Sequence, residues 1–411
     1  MRILEEILSA ATKTKNTAQK KKYFLDFYSI AKNLEKEIVN KSYRSSQFSC
    51  FAVKDPKARE IFAPHFRDRI VHHLFVDKIE HLLDKRFIFT SFANRKQKGI
   101  HQAIKTLQPI LRKKSSRYFL QIDIKNFFPS INKNILSNIF IKQLQTLPLS
   151  EKEKGLSEFL ARRIIFHDPT SPRPIFTGNK SLLKQIPAHK SLFNASKLTG
   201  LPIGSLSSQF FANLYLNELD QFAKHTLKIK HYFRYVDDII IVGENTAVLS
   251  GYKNALDRFL KKNLNLSLHP NKTILQPTEN GINFLGYVIR KDCKLVRNRT
   301  VRAFKKRLYF FNHLLNPKSY SISNAPQMMH LAKKYRENNW IPPIKPDLFI
   351  LSSMLATINS YYGIFCFADS YRLRKNLYEN HFGALRNFFE PKDKTHSAMC
   401  IKKEHISSGR I

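Results

Sequence analysis

Two adjacent aspartates, Asp237 and Asp238, stand between two runs of apolar, β-forming residues. The runs, residues 231–236 and 239–242, are both typical of buried strands. The sequence therefore predicts a β-hairpin with the two acids at its tight turn. Carboxylates held together in this way repel each other unless a divalent cation or a basic ligand neutralises them. A metal site is the simplest explanation of this pattern.

A third acid occurs in a similar setting upstream. Asp123 ends the apolar run 118–122 and is followed by two aromatic residues at 127 and 128, as expected for an acid at the end of a central strand. Mg²⁺ uses few protein carboxylates, because water and substrate phosphates complete its coordination. Two such ions, about 3.5–4 Å apart, can hold the attacking and leaving oxygens of a phosphoryl transfer. The predicted catalytic acids are Asp123, Asp237 and Asp238, and the predicted ligands of two Mg²⁺ ions are the same acids with Ile124.

These motifs carry a family resemblance. Residues 235–238 (YVDD) resemble the YxDD box of reverse transcriptases, and residues 123–128 resemble their first carboxylate motif, in the same order and at a similar separation. Residues 200–213 resemble the motif that contacts template and nucleotide. Shorter fragments extend the resemblance over roughly residues 44–380. The resemblance implies an α+β fold, a right-hand polymerase with fingers, a palm of antiparallel sheet plus helices, and a helical thumb.

The motif between the acids distinguishes one subfamily of reverse transcriptases from another. Many reverse transcriptases, including group II intron enzymes, carry Pro-Gln-Gly here, whereas this chain has Pro202-Ile203-Gly204. This pattern resembles the reverse transcriptases of diversity-generating retroelements. Such enzymes copy a template-repeat RNA with frequent errors at adenines, usually with a small basic accessory protein. Two alternatives stay open, namely a retron-like or phage-defence reverse transcriptase and a non-catalytic RNA-binding relative.

The resemblance also implies roles for individual residues. Lys54 and Arg59 would bind the triphosphate of the incoming dNTP, and Phe128 resembles the aromatic gate that excludes a ribose 2′-hydroxyl. Without the resemblance, the two cations would be read as solvated and Phe128 as core packing beside Phe127. The remaining predicted nucleotide-binding residues are Ile203, Gly204, Gln209 and Lys272, the last in a basic segment that follows the YVDD hairpin.

Hydrophobic periodicity and family resemblance together predict the domain order. Residues 67–86 show apolar residues at helical spacing, and residues 47–63 are strand-like with a turn at Asp55 and Pro56. Adjacent His72 and His73 would point about 100° apart on that helix, so they are predicted to be structural and not to share one metal ion. The predicted domains are an N-terminal helical extension (1–42), fingers (43–116), a palm (117–290) with an inserted fingers or loop segment near 150–200, a helical thumb (291–390) and a flexible basic tail (391–411).

Charge points to a polyanionic partner. The chain has 70 Lys and Arg against 31 Asp and Glu, a formal net charge of +39, and the basic residues are spread along its length. Phosphate is the usual counter-charge for such an excess, although a basic soluble protein or one on an anionic membrane would share it. We therefore expect an extended groove for template RNA and the cDNA/RNA duplex.

The sequence indicates a cytoplasmic protein, and the resemblance implies that it is bacterial or phage-encoded. The N-terminus lacks the basic start and apolar centre of a secretory signal. Residues 348–368 are the most apolar late stretch, but their polar residues predict a buried amphipathic helix and no membrane partner. The cysteines are isolated, with neither zinc-ligand spacing nor a disulfide framework.

Overall fold

The computed structural model describes residues 2–14, 26–54, 57–320 and 343–407. The chain forms two compact units. The first comprises Met1–Leu107 and Lys114–Gln276, and the second comprises Gln108–Lys113 and Pro277–Ile411. Both contain helices and strands, which confirms the predicted α+β class.

The first unit contains the first ten α-helices of the described residues. Helix α3 matches the periodicity predicted for residues 67–86, because its apolar residues at helical spacing are buried. Ser150 and Glu153 form a capping box at the start of α7, and Asn265 in a left-handed conformation ends α10. Helix α9 is buried around most of its circumference. The bounds are α1 Arg2–Lys13, α2 Phe27–Val39, α3 Phe66–Leu83, α4 Ile100–Leu111 (whose last turn belongs to the second unit), α5 Phe127–Ser130, α6 Lys133–Gln145, α7 Glu151–Ile165, α8 Lys180–Leu183, α9 Leu206–Gln221 and α10 Thr246–Leu264.

A four-stranded sheet lies at the centre of this unit, with the strand order β5-β6-β3-β7. Its strands are β3 Tyr118–Asp123, β5 His231–Tyr235, β6 Asp238–Gly243 and β7 Ile274–Pro277. Strands β5 and β6 form the predicted antiparallel hairpin, and β6 pairs antiparallel with β3. The apolar run at the centre of β6 is fully buried, as expected for an interior strand.

A second antiparallel hairpin is formed by β1 (Ser49–Lys54) and β2 (Ala58–Ala63), with β4 (Ile175–Phe176) parallel to β1. This confirms the strand-like pattern predicted for residues 47–63. The predicted turn at Asp55 and Pro56 lies outside the described residues. Opposite residues in the hairpin include Val53 with Arg59 and Lys54 with Ala58.

The second unit combines a three-stranded antiparallel sheet with helices. The sheet contains β8 (Ile282–Phe284), β9 (Tyr287–Ile289) and β10 (Lys294–Val296), residues that the sequence predicts to belong to the palm and the start of the thumb. The helices are α11 Asn298–Leu315, α12 Leu348–Cys366, α13 Tyr371–His381 and α14 Lys403–Ser407. The predicted boundaries between fingers, palm and thumb stay predictions.

The prediction that residues 391–411 form a flexible tail is wrong for most of that segment. Strands β11 (Phe389–Pro391) and β12 (Met399–Ile401) form an antiparallel hairpin, and α14 follows. Two apolar residues of β12 alternate into the core, and the Asn359 side chain bonds both backbone groups of Met399, at 2.8 and 3.0 Å. Three-residue strands between polar neighbours give too little pattern to be recognised.

Helix α12 buries one face through five residues at helical spacing, which agrees with the predicted amphipathic helix. Its other face includes Phe349, which is 76% exposed. Within the described ranges, it is the one helix long and apolar enough to cross a membrane, and 28% of its apolar window is buried.

Candidate active site

The predicted acids come together where β3 meets the β5–β6 hairpin. Asp123 ends β3 and lies opposite Asp238, the first residue of β6. Asp237 occupies the two-residue turn before it, so the turn itself holds one of the two acids and not both. The other turn residue, Val236, has a φ of 55°, a left-handed conformation that β-branched residues rarely adopt.

Basic side chains surround these acids. Lys272 Nζ lies 2.7 Å from Asp123 Oδ1. The turn that carries Lys272 is joined to β3 by the His269 amide, which donates to the Asp123 carbonyl at 2.7 Å. Burial raises the pKa of Asp237, the charge of Asp123 raises it further, and Lys272 and Arg59 oppose that increase. The structure therefore places Lys272 and Arg59 in the electrostatic environment of the acids.

The oxygen donors fit a hard divalent cation in type. Their present partners, however, are protein groups: Asp123 is paired with Lys272, and Asp238 Oδ1 accepts from Gln121 Nε2 at 3.0 Å. Across the described ranges, no cluster of three or more His, Cys, Asp or Glu side chains is already spaced to hold a metal ion. The Ile124 side chain is apolar, so only its carbonyl could act as a ligand, and its amide donates to the Asp237 carbonyl at 3.3 Å.

The loop of Pro202, Ile203 and Gly204 packs against β2. The Phe62 amide donates to the Ile203 carbonyl at 2.8 Å. Gly204 has a φ of +120°, and a Cβ at this position would lie 2.7 Å from Ile61 Cγ2 and 2.8 Å from the Phe62 carbonyl oxygen. Glycine is therefore required by both conformation and space.

Two other predicted nucleotide-binding residues flank this loop. The Leu201 amide donates to the Phe128 carbonyl at 3.0 Å, which ties the loop to the segment after Asp123. The Phe128 ring is partly buried, 5.4 Å from the Phe127 ring in an edge-on arrangement, so core packing and a nucleotide contact are both compatible with its position. Gln209 is exposed in the first turns of α9.

Lys54 and Arg59, predicted to act together, lie on opposite faces of the β1–β2 hairpin. Directly opposite residues share a face, so Arg59 shares one with Val53 and Lys54 shares the other with Ala58. Lys54 Nζ donates to Gln185 Oε1 at 3.1 Å. Arg59 is the one of the two whose charge acts on Asp237.

The contacts of two buried polar clusters beside the site were not predicted from sequence, although His72 was predicted to be structural. In one, His72 Nδ1 lies 2.7 Å from Ser205 Oγ, next to Gly204. In the other, Arg234 of β5 is paired with Asp220 of α9, and neither side chain has exposed surface. The sequence feature that could have revealed this pair is an arginine inside an otherwise apolar strand, because a buried arginine requires a partner.

Comparisons with known proteins agree with the motifs. A family model described as "Reverse transcriptase (RNA-dependent DNA polymerase)" matches residues 53–289. Group II intron-encoded protein LtrA of Lactococcus lactis subsp. cremoris is 22% identical over 382 residues, covering 80% of this chain and 63% of LtrA. Protein YkfC of Escherichia coli K12 is 22% identical over 281 residues, covering 60% of this chain and 67% of YkfC.

Among solved structures, telomerase from Candida albicans in complex with a telomeric RNA fragment aligns with a TM-score of 0.43 at 13% identity. That alignment covers 88% of this chain and 61% of the telomerase chain. The chain spans less than two thirds of the length of LtrA.

Proposed function

The chain belongs to the reverse transcriptase (RNA-dependent DNA polymerase) family and has its right-hand polymerase fold, and from this premise we propose that it synthesises DNA on an RNA template. The observation that carries the proposal is the convergence of Asp123, Asp237 and Asp238 at one end of the central sheet. All three acids fall inside the region that matches the family. Carboxylates gathered at one strand end suit phosphoryl transfer and are unfavourable without a cationic ligand.

The proposed reaction extends a primer by one nucleotide. The primer 3′-hydroxyl forms a bond to the α-phosphorus of a dNTP, and the bond to pyrophosphate breaks. Two Mg²⁺ ions, when bound, supply electrostatic stabilisation of the phosphate charge. Asp123 and Asp237 would hold them, with Asp238 and the Ile124 carbonyl in support. No protein nucleophile is needed, because positioning and electrostatics supply most of the effect.

The nucleotide site is proposed to lie between the acids and the loop at 202–204. Arg59 and Lys272 are the cations proposed to bind the triphosphate, since the charges of both lower the pKa of Asp237. Lys54 lies on the other face of its hairpin, so it would contact the triphosphate only if the dNTP approached from that face. Phe128 is proposed to lie under the sugar, and Ile203, Gly204 and Gln209 beside the base and template.

The test of activity is dNTP incorporation by the purified protein on primed RNA with Mg²⁺, followed by sequencing of the products. Asp237→Ala should abolish incorporation, because Asp237 is a proposed metal ligand. Asp292→Ala, the same change at an exposed acid of the second unit, should leave it intact. Incorporation that survives Asp237→Ala would contradict the proposed site.

At the finer level, we propose a reverse transcriptase of a diversity-generating retroelement, acting in a bacterial cytoplasm with a small basic accessory protein. Pro202-Ile203-Gly204 supports this proposal, because an amide side chain is missing where accurate relatives have one. Products with errors concentrated at template adenines would agree with it. Accurate synthesis would favour a retron-like or phage-defence enzyme. RNA binding without synthesis, even with the accessory protein and cognate RNA, would favour the non-catalytic alternative.

Ile203 is proposed to loosen the nucleotide pocket. Its backbone is held by the bond from the Phe62 amide, so a changed side chain should leave the loop in place. Ile203→Gln should lower misincorporation opposite adenine, measured by sequencing of the cDNA. Ile175→Gln, at a residue that is 53% exposed in β4, is the matched control and should change nothing. An unaltered error rate in Ile203→Gln would remove this residue from the explanation.

A further inference from the structure

The buried pair of Arg234 and Asp220 has no direct access to a substrate, because both side chains have 0% exposed surface. We infer that it positions the turn that carries Asp237, a role that rests on the proposed function of that acid. Arg234 and Asp220 are thus positioning residues, which act on the reaction through Asp237.

The pair has the geometry of a rigid fork. Arg234 Nε donates to Asp220 Oδ1 at 2.7 Å, and Nη2 donates to Oδ2 at 2.6 Å. The Tyr232 hydroxyl donates to the same carboxylate at 2.9 Å. Two charges taken out of water weaken a fold unless their geometry satisfies both. Replacement of a buried ion pair by well-packed apolar residues is often neutral or stabilising, so a buried pair is weak evidence of a purely stabilising role.

The third guanidinium nitrogen of Arg234, Nη1, forms a hydrogen bond with the turn. Arg234 Nη1 donates to the Val236 carbonyl at 3.1 Å and to Asn213 Oδ1 at 3.3 Å. Val236 is the residue with the left-handed backbone, immediately before Asp237. A conformation of this kind persists where surrounding contacts hold it. The guanidinium supplies such a contact at the carbonyl of the unfavourable residue.

The same arginine is held by its backbone at the open edge of β5. Its amide donates to the Thr90 carbonyl at 3.0 Å, and its carbonyl accepts from the Phe92 amide at 3.0 Å. Asn213 Nδ2 donates to the Ala93 carbonyl at 2.7 Å. Arg234 therefore links the Asp237 turn to helix α9 through its side chain and to the segment 90–93 through its backbone.

Arg234→Lys tests this role, because lysine keeps the charge but cannot bind a carboxylate and a carbonyl as a planar fork. We expect kcat to fall about tenfold to a hundredfold, as for a misplaced catalytic group, with KM for dNTP and affinity for primed RNA within about twofold. Asp220→Asn should act in the same direction. Tyr232→Phe, which removes one bond to Asp220 and leaves the fork, should have a smaller effect.

Hydrogen exchange gives a readout that does not depend on activity. In metal-free Arg234→Lys, the peptide covering 231–243 should exchange faster than in the wild type. Asp68→Asn is the matched control: Asp68 is a fully buried acid that accepts from the Tyr43 hydroxyl at 2.8 Å and the Ser46 amide at 2.9 Å. It should lower the melting temperature but leave both kcat and the exchange of 231–243 unchanged.

Two results would overturn the inference. The first is that both kcat and the exchange rate of 231–243 are unchanged in Arg234→Lys. If Arg234→Lys does not fold, the same result in both Tyr232→Phe and Asp220→Asn would overturn the inference. The other is an equal loss of kcat in Asp68→Asn, which would mean general destabilisation. A wild-type protein without polymerase activity would contradict the proposed function, whereas the exchange comparison would still decide whether the pair holds the turn.

Discussion

Two neighbouring residues at the site, Val236 and Asp237, are in unfavourable settings. Asp237 is an acid beside a second acid, and burial together with Asp123 raises its pKa. Val236 next to it has a left-handed backbone. Such features destabilise the folded state and persist where surrounding contacts over-determine them. Here those contacts come from Lys272, which pairs with Asp123, and Arg234, which bonds the turn.

Gly204 allows a test of the loop at single-residue resolution. Gly204→Ala should lower the free energy of unfolding by about 2–4 kcal/mol, because the new Cβ meets Ile61 and the Phe62 carbonyl in a backbone conformation that alanine disfavours. The KM for dNTP should rise as the loop shifts. The measurements are urea unfolding and steady-state kinetics.

The matched control for this change is Gly251→Ala. Gly251 lies inside helix α10 with no atom near the position of its Cβ. Alanine there should stabilise the protein by about 0.5–1 kcal/mol. If Gly204→Ala unfolds at the wild-type midpoint, the close approach of β2 to the loop is not a constraint.

At the scale of elements, the spacing of apolar residues predicts the strands and helices that depend on neighbouring residues alone. The β5–β6 hairpin follows from apolar runs on both sides of Asp237 and Asp238, and α3 follows from helical spacing of apolar residues. The faces of Lys54 and Arg59 depend on the register of β1 and β2, which their turn sets and composition does not reveal. The pairing of Arg234 with Asp220 joins a strand to a helix, and no spacing rule predicts such a contact.

Helix α3 and the start of α9 are joined by a buried histidine that should make stability depend on pH. His72 Nδ1 contacts Ser205 Oγ at 2.7 Å and Ser207 Oγ at 3.1 Å. Burial, followed by the charges of His167 and His73, lowers the pKa of His72 from 6.5 to about 3. Below pH 6.5 the unfolded chain therefore gains a proton that folded His72 does not. The stability contributed by neutral His72 is fully present above pH 6.5 and is lost as the pH falls toward 3.

The linked free energy is at most about 5 kcal/mol. Urea unfolding at pH 7.5 and 4.5 measures the part that is lost by pH 4.5, about 3 kcal/mol, and His72→Gln should reduce the difference between the two pH values. His167 contributes with the same sign, because burial first, with the charge of Lys133, lowers its pKa to about 4. His225→Gln, at an exposed histidine, is the control that should leave the difference unchanged. An equal pH difference in wild type and His72→Gln would show that this histidine is not linked to folding.

On the scale of the whole molecule, the formal net charge of +39 favours a polyanionic partner. Basic residues occur in both units, and acids are too few to neutralise them. The match to the reverse transcriptase family covers residues 53–289, whereas basic residues continue through the helix Asn298–Leu315 and beyond. The charge therefore extends past the matched region, as expected for a protein that contacts a nucleic-acid backbone at many points.

This charge predicts steep salt dependence of RNA binding. A protein that neutralises about six to ten phosphates releases their counterions, so its affinity falls about 10³- to 10⁵-fold between 50 and 200 mM salt. Fluorescence anisotropy of a labelled primed RNA over this range gives the slope. Asp237→Ala should keep that slope, because the proposed catalytic acids release no counterions. A peptide nucleic acid of the same base sequence has no phosphates and should show almost no slope. A shallow slope with primed RNA would mean that most of the excess charge faces something other than the template, and the proposal of an extended phosphate-binding groove would fail even if the polymerase is active.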